Sequence, residues 1–484
     1  MPGPRSRMRP PRHYCVAPSH PPAHPAFLLS ANFLMRYIGN KTKLLPFIAS
    51  ALDRLDVPLP GRALDAFAGT AAVGSFLKAR GATVVGCDLM TFSYVFQRAY
   101  VVADAYPRFT TLRDDVGLGA ARARPDFAAR VDRRIAARSA AFRPAPSLTR
   151  PLDELLVYLD HYLDPLTSFI SQHFATHHTP HTSPPPPVTH PVFQTAHTPP
   201  PHAVAPIPTR RTRSAPRVPT SATAAAHGDV VSAEPTPRMY FTLDAARRID
   251  AIRSQLHEWH ATAAISDDEF YILLAALLEA ADAVANTAGI YAAYIKSWQS
   301  NALREMRLRL PSIAAVSPRA RSARRARCEA HLGDVSALAP TLGHFDLLYL
   351  DPPYNTRQYS AYYHIPELIA RGWFEDPPVL RGKTGLLPNA KKSAWSTRAG
   401  CVAALDGLLA ETDADHVVLS YNSEGIIPES EITRIFRAHG RRGTYRRVTR
   451  TYQRYRSDRP SAKRRYTSDS VHEHLYCVRL KGSG

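Results

Sequence analysis

The residues with the clearest chemical potential are Asp351, Pro352, Pro353 and Tyr354, which directly follow the apolar run 345–350. The run predicts a buried strand, and ligands of open parallel sheets bind at the carboxyl ends of strands. An aromatic amine such as the amino group of adenine is a poor nucleophile because its lone pair is delocalised. Asp351 and the carbonyl of Pro352 could accept its two N–H bonds, and Tyr354 offers a ring on which an extruded base could stack. The alternative is a plain Pro-Pro turn with a packing tyrosine.

A second candidate site is the segment 65–74, DAFAGTAAVG, which follows a short apolar run and opens a predicted helix. Small residues at such a turn allow the backbone to approach a cofactor closely. Asp88 ends the next apolar run, about 20 residues further on, where it could accept from ribose hydroxyls. This pattern fits a nucleoside cofactor but does not separate S-adenosylmethionine from a nicotinamide dinucleotide.

A third segment, RYIGNKTKLL at 36–45, precedes the first predicted strand. Physically it is a turn into a helix that carries several cations. Taken alone, it is most simply a solvated basic helix start.

The elements that would position these residues alternate along the chain. Strand, helix and strand patterns cover 63–87, and apolar runs at 345–350 and 417–421 predict further buried strands. This alternation predicts an α/β fold with a parallel sheet. Helical periodicity at 155–174, 243–260 and 267–284 predicts a mainly helical segment that interrupts the sheet, with a break near Pro165.

Four parts follow from these patterns. Residues 1–34 are crowded with Pro, Arg and His and predict a disordered extension, unless Met35 is the true start. Residues 35–105 would form the cofactor-binding first part of the sheet domain, and 326–484 the second part with the Asp-Pro-Pro-Tyr motif. Between them, 106–325 would be an inserted helical region that contains a proline-rich disordered linker at 176–220.

Composition points to a polyanionic partner. The 484 residues include 61 Lys and Arg against 41 Asp and Glu, a formal charge of +20, which is typical of proteins that bind nucleic acid. Residues 434–465 carry thirteen of these cations and one acid, Asp458, interleaved with tyrosines. This predicts either a phosphate-tracking surface or a merely solvated face.

The five cysteines form no CxxC pair, and no apolar run is long enough to span a membrane. We therefore expect a cytoplasmic protein with no membrane segment and no structural zinc site.

In their order along the chain, the three segments resemble the D12 class of adenine-specific DNA methyltransferases, the Dam-like alpha group, over roughly 35–105 and 240–480. The resemblance implies a Rossmann-like S-adenosylmethionine-dependent methyltransferase sheet with an inserted helical recognition domain. It implies that the cofactor S-adenosylmethionine is bound by Tyr37, Lys41, Asp65, Phe67, Gly69, Asp88 and Asp334. It also makes Asp351, Pro352, Pro353 and Tyr354 the catalytic motif, which works without a metal. The sequence departs from the family at Ala71, where a second glycine is usual; the extra methyl could crowd the cofactor.

The implied function is site-specific transfer of a methyl group from S-adenosylmethionine to N6 of adenine in double-stranded DNA. The expected partners are that DNA and the cognate endonuclease of a restriction-modification system, with the protein acting as a monomer. Two alternatives remain open: an RNA base methyltransferase acting on guanine N2 or adenine, and a catalytically inactive DNA-binding homologue. The aromatic residues of 285–298 could contact DNA or simply pack helices.

Overall fold

The structure is a computed structural model that describes residues 35–54, 57, 59, 61–138, 144–177, 238–313, 326–388, 392–453 and 470–482. The predicted extension 1–34 and residues 178–220 of the predicted linker lie outside these ranges. Within them, none of the helices has both the length and the apolarity that a membrane crossing requires.

Strands and helices alternate along both halves of the chain, as parallel α/β units do. The strands are β1 (Arg62–Asp65), β2 (Thr83–Asp88), β3 (Ala175–Thr176), β4 (Phe241–Thr242), β5 (Glu329–Leu332), β6 (Phe345–Leu350), β7 (Ala414–Asn422), β8 (Arg446–Gln453) and β9 (Ser470–Arg479). Seven of them form one sheet in the order β5-β2-β1-β6-β7-β9-β8, and β3 pairs separately with β4. The first five in this order are parallel, whereas β9 is antiparallel to both of its neighbours. This mostly parallel sheet confirms the predicted Rossmann-like α/β class.

The helices cover both faces of this sheet. They are α1 (Leu45–Arg54), α2 (Ala72–Ala79), α3 (Thr91–Phe96), α4 (Val116–Arg122), α5 (Phe127–Ala136), α6 (Pro146–His161), α7 (Phe169–His173), α8 (Leu243–Ala261), α9 (Asp267–Ala283), α10 (Val335–Leu338), α11 (Tyr359–Tyr362), α12 (His364–Arg371), α13 (Cys401–Glu411) and α14 (Glu429–His439). A π-helical turn (Gln97–Val102) extends α3, and 3-10 turns occupy Thr42–Leu44, Thr110–Asp114, Ala339–Thr341 and Ala394–Ser396.

Successive side chains of a strand point to opposite faces of the sheet. The central strands are buried on both faces because an apolar core lies on each side. In β6, Leu347 and Tyr349 join the core that contains side chains of α1–α3, α8, α9 and α12. Leu348 and Leu350 join a second core with α10, α13 and α14. This two-sided burial explains why β6 is almost continuously apolar in the sequence.

The segment between β2 and β5 is mainly helical, as predicted, and its helices α4–α9 pack into the first core. The predicted break near Pro165 is present, because α6 ends at His161 and α7 begins at Phe169. The predicted linker boundary at residue 176 is wrong. Thr176 is not linker but strand, since Ala175 and Thr176 pair in parallel with Phe241 and Thr242.

A buried carboxylate on α8 holds the helix that follows this break. Asp250 on α8 is fully buried, and its oxygens accept from the backbone N–H groups of Ser168, Ile170 and Ser171 at 2.9–3.0 Å. These N–H groups belong to the first turn of α7, which has no helical partners for them and carries partial positive charge. Asp250 therefore fixes the position of α7 against α8.

We expect Asp250→Ala to lower the free energy of unfolding by about 2–4 kcal/mol, because three buried donors lose a charged acceptor. Urea unfolding followed by circular dichroism measures this change. Glu258→Ala is the matched control, since Glu258 is exposed on the same helix, and it should cost less than about 0.5 kcal/mol. Equal losses in the two variants would contradict the anchoring role of Asp250.

Candidate active site

The predicted site residues converge at the edge where the parallel strands end. A cleft of about 770 Å³ lies there, and it is lined by Tyr37, Phe67, Asp88, Asp334, Asp351, Pro352, Pro353 and Tyr354 among others. A second cavity of about 290 Å³ shares part of this lining and adds Lys41, Asp65 and Gly69. All eleven predicted residues thus lie around two adjoining cavities, as the topology of an open parallel sheet requires.

The Asp-Pro-Pro-Tyr turn is supported from the neighbouring strand. Tyr421 in β7 donates its hydroxyl to the carbonyl of Pro353 at 3.4 Å and accepts from the backbone N–H of Ile427 at 3.2 Å. The ring of Tyr354 lies against Gly39, where an added Cβ would come within 3.4 Å of Cε1. Gly39 has a φ of +84°, and this backbone conformation favours glycine, whereas the contact with Tyr354 would be an ordinary one for a Cβ.

A buried ammonium group holds the carboxylate of the motif. Lys41 Nζ lies 3.1 Å from Asp351 Oδ1 and 2.7 Å from Glu473 Oε1. Burial raises the pKa of Asp351 to about 7, against the lowering effect of Lys41 and together with the charge of Glu473. Burial alone would lower the pKa of Lys41, but Asp351 and Glu473 outweigh it and raise that pKa well above its usual value. Lys41 therefore stays charged beside a carboxyl group that titrates near neutrality.

The glycine turn after β1 is fixed by Asp88. The Asp88 oxygens accept from the backbone N–H groups of Gly69 and Met90, each at 2.9 Å. Gly69 has a φ of +50°, and a Cβ there would lie 3.0 Å from the Tyr37 ring. A side chain at this position would therefore close the space between the turn and Tyr37. Because a carboxylate has about four acceptor sites, Asp88 can hold the turn and still accept from a ligand.

Asp65 is buried beneath the same turn. Its carboxyl group accepts from the backbone of Gly74, and burial, with the charges of Asp351 and Asp88, raises its pKa to about 8. Its side chain is only partly satisfied, because Oδ2 has no hydrogen-bond partner. The geometry places Asp65 under the start of α2, where it braces the turn.

The far wall of the cleft contains a tryptophan that the sequence did not single out. Trp395 is buried in the 3-10 turn Ala394–Ser396, and its ring meets Phe67 edge-on at 5.0 Å between centroids. Its indole N–H donates to Ser336 Oγ at 3.1 Å. Asp334, at the start of α10, accepts from the backbone N–H of Ser336 at 3.0 Å. The sequence signal for Trp395 itself was a lone tryptophan in a polar segment.

The segment that carries Tyr37 and Lys41 is tethered to the end of α9. Arg36 donates to the carbonyls of Asp282, Ala285 and Thr287 at 2.7–3.2 Å, and its Nε lies 3.2 Å from Asp282 Oδ2. A guanidinium group suits the unpaired carbonyls at a helix carboxyl end. Two cations of the predicted basic helix start, Arg36 and Lys41, thus have specific partners in the structure, whereas Lys43 is exposed.

Aromatic rings pack around the same segment. Tyr37 stacks on Tyr363 at 4.9 Å and tilts toward Tyr359 at 5.6 Å. Tyr291, from the aromatic segment 285–298, is buried and donates to Asp282 Oδ1 at 3.0 Å. At this position the structure favours packing over DNA contact, one of the two interpretations left open by the sequence.

The basic stretch 434–465 is described up to residue 453. Its described residues extend from one edge of the sheet to the other, because β8 runs between the two edges. Arg437, Arg441 and Arg442 line a groove at the edge away from the cleft. From there β8 runs toward the edge of the sheet that contains the cleft. It has eight residues, and a rise of about 3.3 Å per residue separates its ends by roughly 25 Å. Arg450 pairs in register with Glu473. Among the described residues 434–453, only those toward the carboxyl end of β8, such as Arg450, can lie near a ligand in the cleft.

Comparisons with known proteins agree with this arrangement. A sequence model of the D12 class N6 adenine-specific DNA methyltransferase family matches residues 37–117 and 231–435. The type II methyltransferase M.NlaIII of Neisseria lactamica is 34% identical over 241 residues, which are 50% of this chain and 67% of that protein. The type II methyltransferase M.FokI of Planomicrobium okeanokoites is 36% identical over 242 residues, 50% of this chain and 35% of that protein.

The modification methylase LlaI of Lactococcus lactis subsp. lactis aligns over more of the chain. It is 26% identical over 432 residues, which cover 89% of this chain and 53% of that protein. The chain thus spans only about a third of M.FokI and about half of LlaI. No solved structure matches the chain. The family match contains all eleven predicted site residues, whereas Glu473 lies beyond it.

Ala71 adopts the backbone conformation that explains why glycine is usual there. Its φ is +66°, a left-handed conformation that costs an L-residue roughly 1–2 kcal/mol. Its methyl group is 1% exposed and belongs to the first apolar core. Ala71 is not among the described residues that line either cavity. The methyl group therefore points away from the space that it was expected to crowd.

We expect Ala71→Gly to change the free energy of unfolding by less than about 1 kcal/mol, because relief of strain offsets the lost methyl contact and the added chain entropy. Ala71→Val should cost more than about 2 kcal/mol, since a β-branched residue resists this conformation. Ala72→Gly is the matched control without strain to relieve, and it should be destabilising. Chemical denaturation of the three variants tests this order, and a stable Ala71→Val protein would contradict it.

Proposed function

This chain belongs to the D12 class of N6 adenine-specific DNA methyltransferases, and we propose from that membership that the cleft at the carboxyl edge of its sheet is the place of methyl transfer. The class transfers a methyl group from S-adenosylmethionine to the N6 amino group of adenine in DNA. One observation carries the assignment to this cleft. The turn Asp351–Tyr354 lines one cavity and Gly69 lines the next, and the two cavities share some of their lining residues, among them Tyr37 and Asp351.

The residues around the two cavities fit the methyl donor. The cleft is lined by both aromatic and carboxylate side chains, and Gly69 leaves open the space beside Tyr37 that a Cβ would take. We propose that Asp88 accepts from the ribose hydroxyls and that Asp334 and Phe67 face the adenine ring. S-adenosylmethionine would supply an activated methyl group there.

The remaining predicted cofactor residues are assigned by position. Tyr37, Lys41 and Gly69 border the smaller cavity, and we propose that they enclose the amino-acid end of the donor. Asp65 would act through the backbone, because its carboxyl group holds Gly74 at the start of α2.

The target base would be held by the Asp-Pro-Pro-Tyr turn. Asp351 has one oxygen on Lys41, which leaves the second oxygen to accept an N–H of the base. The carbonyl of Pro352 would take the other N–H, so that the nitrogen becomes pyramidal and its lone pair points away from both acceptors. Tyr354 would stack on the extruded ring, and Pro353 would fix the turn through its contact with Tyr421.

Lys41 would keep Asp351 in the form that this role requires. A protonated carboxylic acid is a much weaker acceptor than a carboxylate, and its protonated oxygen becomes a hydrogen-bond donor. Since burial raises the pKa of Asp351 to about 7, the ammonium group of Lys41 is needed to keep enough of it ionised at neutral pH.

DNA recognition is proposed for the helical region 106–325. Residues 118–230 fall between the two matched parts of the family model, and α5–α7 lie in this gap. A base can leave the stack of a double helix to reach a pocket, which makes double-stranded DNA the proposed substrate. Arg450 and its neighbours at the catalytic end of β8 are suited to contact phosphates.

The biological setting follows from the relatives. The names of M.NlaIII and M.FokI describe type II methyltransferases, and we propose a matching restriction endonuclease as functional partner. We propose that the protein acts as a monomer on its site. Within the described residues, Cys87, Cys328, Cys401 and Cys477 are buried thiols, which suits the reducing cytoplasm as its location.

We expect Asp351→Asn to lower methyl transfer to DNA at least about 100-fold, because the amide presents a neutral and weaker acceptor to the target amino group. Binding of S-adenosylmethionine should stay within about twofold, since the proposed partner of Asp351 is the base. Transfer of label from the tritiated donor and calorimetric titration measure the two quantities. A variant with the wild-type rate would refute the role of Asp351, and loss of donor binding would move Asp351 into the cofactor site.

A further inference from the structure

Glu473 lies at the catalytic edge although no motif contains it. It is in β9, opposite Asn422 of β7 in the antiparallel pairing, and 432 residues after Lys41. The residue is 1% exposed. A carboxylate buried this deeply needs charged or hydrogen-bonded partners, and their identity indicates what it does.

Its partners fix one oxygen of Glu473 from two sides. Ser420 Oγ donates to Oε1 at 2.7 Å, and Lys41 Nζ donates to the same oxygen at 2.7 Å. Ser420 is fully buried in β7, so it is a fixed point of the sheet. Glu473 thereby attaches the flexible Lys41 side chain to the two neighbouring strands.

The ammonium group is closer to Glu473 than to the catalytic turn. Lys41 Nζ lies 2.7 Å from Glu473 and 3.1 Å from Asp351. One cation thus serves two carboxylates, the buried Glu473 and the largely buried Asp351. The three groups carry a net charge of −1 when all are ionised. Without Glu473, the same ammonium group would form a one-to-one pair with Asp351. Such a pair would weaken Asp351 as a hydrogen-bond acceptor for any other group.

We propose that Glu473 is a positioning residue for methyl transfer: it shares the ammonium group of Lys41 with Asp351, so that Lys41 does not pair with Asp351 alone and Asp351 keeps its strength as a hydrogen-bond acceptor for the target amino group. This inference rests on the proposed function, in which Asp351 accepts from the target amino group. Glu473 itself acts through Lys41. Its contribution would appear in the rate and its pH dependence, while binding of S-adenosylmethionine would change little.

Several titratable groups face Asp351 from other elements. Asp65 in β1 and Tyr349 in β6 interact with it, as do Tyr37 in the amino-terminal segment and Tyr421 in β7. These groups are unchanged in every variant below, so differences between variants report on Lys41 and Glu473. The charges of these two residues act on the pKa of Asp351 in opposite directions.

The test is the single-turnover rate of methyl transfer to DNA as a function of pH, with the full chain and saturating S-adenosylmethionine. Wild-type activity should rise through about pH 7, as Asp351 ionises. Glu473→Gln should move this rise to lower pH by about one unit and reduce the plateau rate about 10–100-fold. Lys41→Met should move the rise to higher pH. Glu473→Asp keeps the charge and should retain a rise near that of the wild type.

Two controls separate positioning from general damage. Asp250→Asn removes the charge of a buried carboxylate that lines neither cavity, so it should lower the melting temperature without moving the pH profile. If Glu473→Gln fails to fold, the double variant Lys41→Met/Glu473→Gln removes both charges and leaves neither buried alone. Its rise in activity should then lie at lower pH than that of Lys41→Met.

The outcomes distinguish this inference from the function on which it rests. An unshifted pH profile in Glu473→Gln, or a shift in the same direction as in Lys41→Met, would overturn the role of Glu473. That result, with Asp351→Asn inactive, leaves the proposed function intact. An active Asp351→Asn would overturn the proposed function itself. Opposite shifts in the two single variants would support both.

Discussion

A buried carboxylate at the end of a strand is the constraint on which the rest of this structure depends. Asp351 can serve a ligand only if it is removed from bulk water, and burial by itself favours its protonated form. The ammonium group of Lys41 compensates, at 3.1 Å, and must itself be desolvated to do so. Glu473, which Ser420 holds in place, then provides the fixed partner that a buried cation requires. Ion pairs therefore join three parts of the chain that are distant in sequence, at Lys41, Asp351 and Glu473.

The fold supplies the geometry that this requirement needs. Parallel strands bring their carboxyl ends to one edge, so the turns after β1, β2 and β6 meet although helices and a long insertion separate them in the sequence. The segment before α1 reaches the same edge because Arg36 attaches it to the end of α9. Helix α9 packs in the same core as the sheet. The insertion thus shares the core that positions the amino-terminal cation, and it is structurally coupled to the site.

Local patterns together with the family resemblance predicted eleven of the residues that line the two cavities, and long-range contacts account for the neighbours that they missed. The run 345–350 was predicted with the bounds that β6 has, because a strand buried on both faces is apolar throughout. Asp88 was assigned to a ligand, but the structure also gives it two backbone N–H groups, Gly69 and Met90. Glu473 and Trp395 were missed, since neither belongs to a periodic or motif pattern and each acts only through tertiary contacts. The crowding expected from Ala71 depended on the direction of one methyl group, which requires backbone angles.

The central claim is that this chain methylates the amino nitrogen of adenine in DNA, and it is tested most directly by identifying the modified nucleoside. Purified protein would be incubated with labelled S-adenosylmethionine and either double-stranded DNA or RNA, and each product digested and separated by chromatography with mass detection. We expect label in N6-methyladenine from DNA, none in RNA, and none in DNA treated with Asp351→Asn. Label in a guanine of RNA, or no transfer by the wild-type protein to any DNA that contains all short sequence combinations, would contradict the claim.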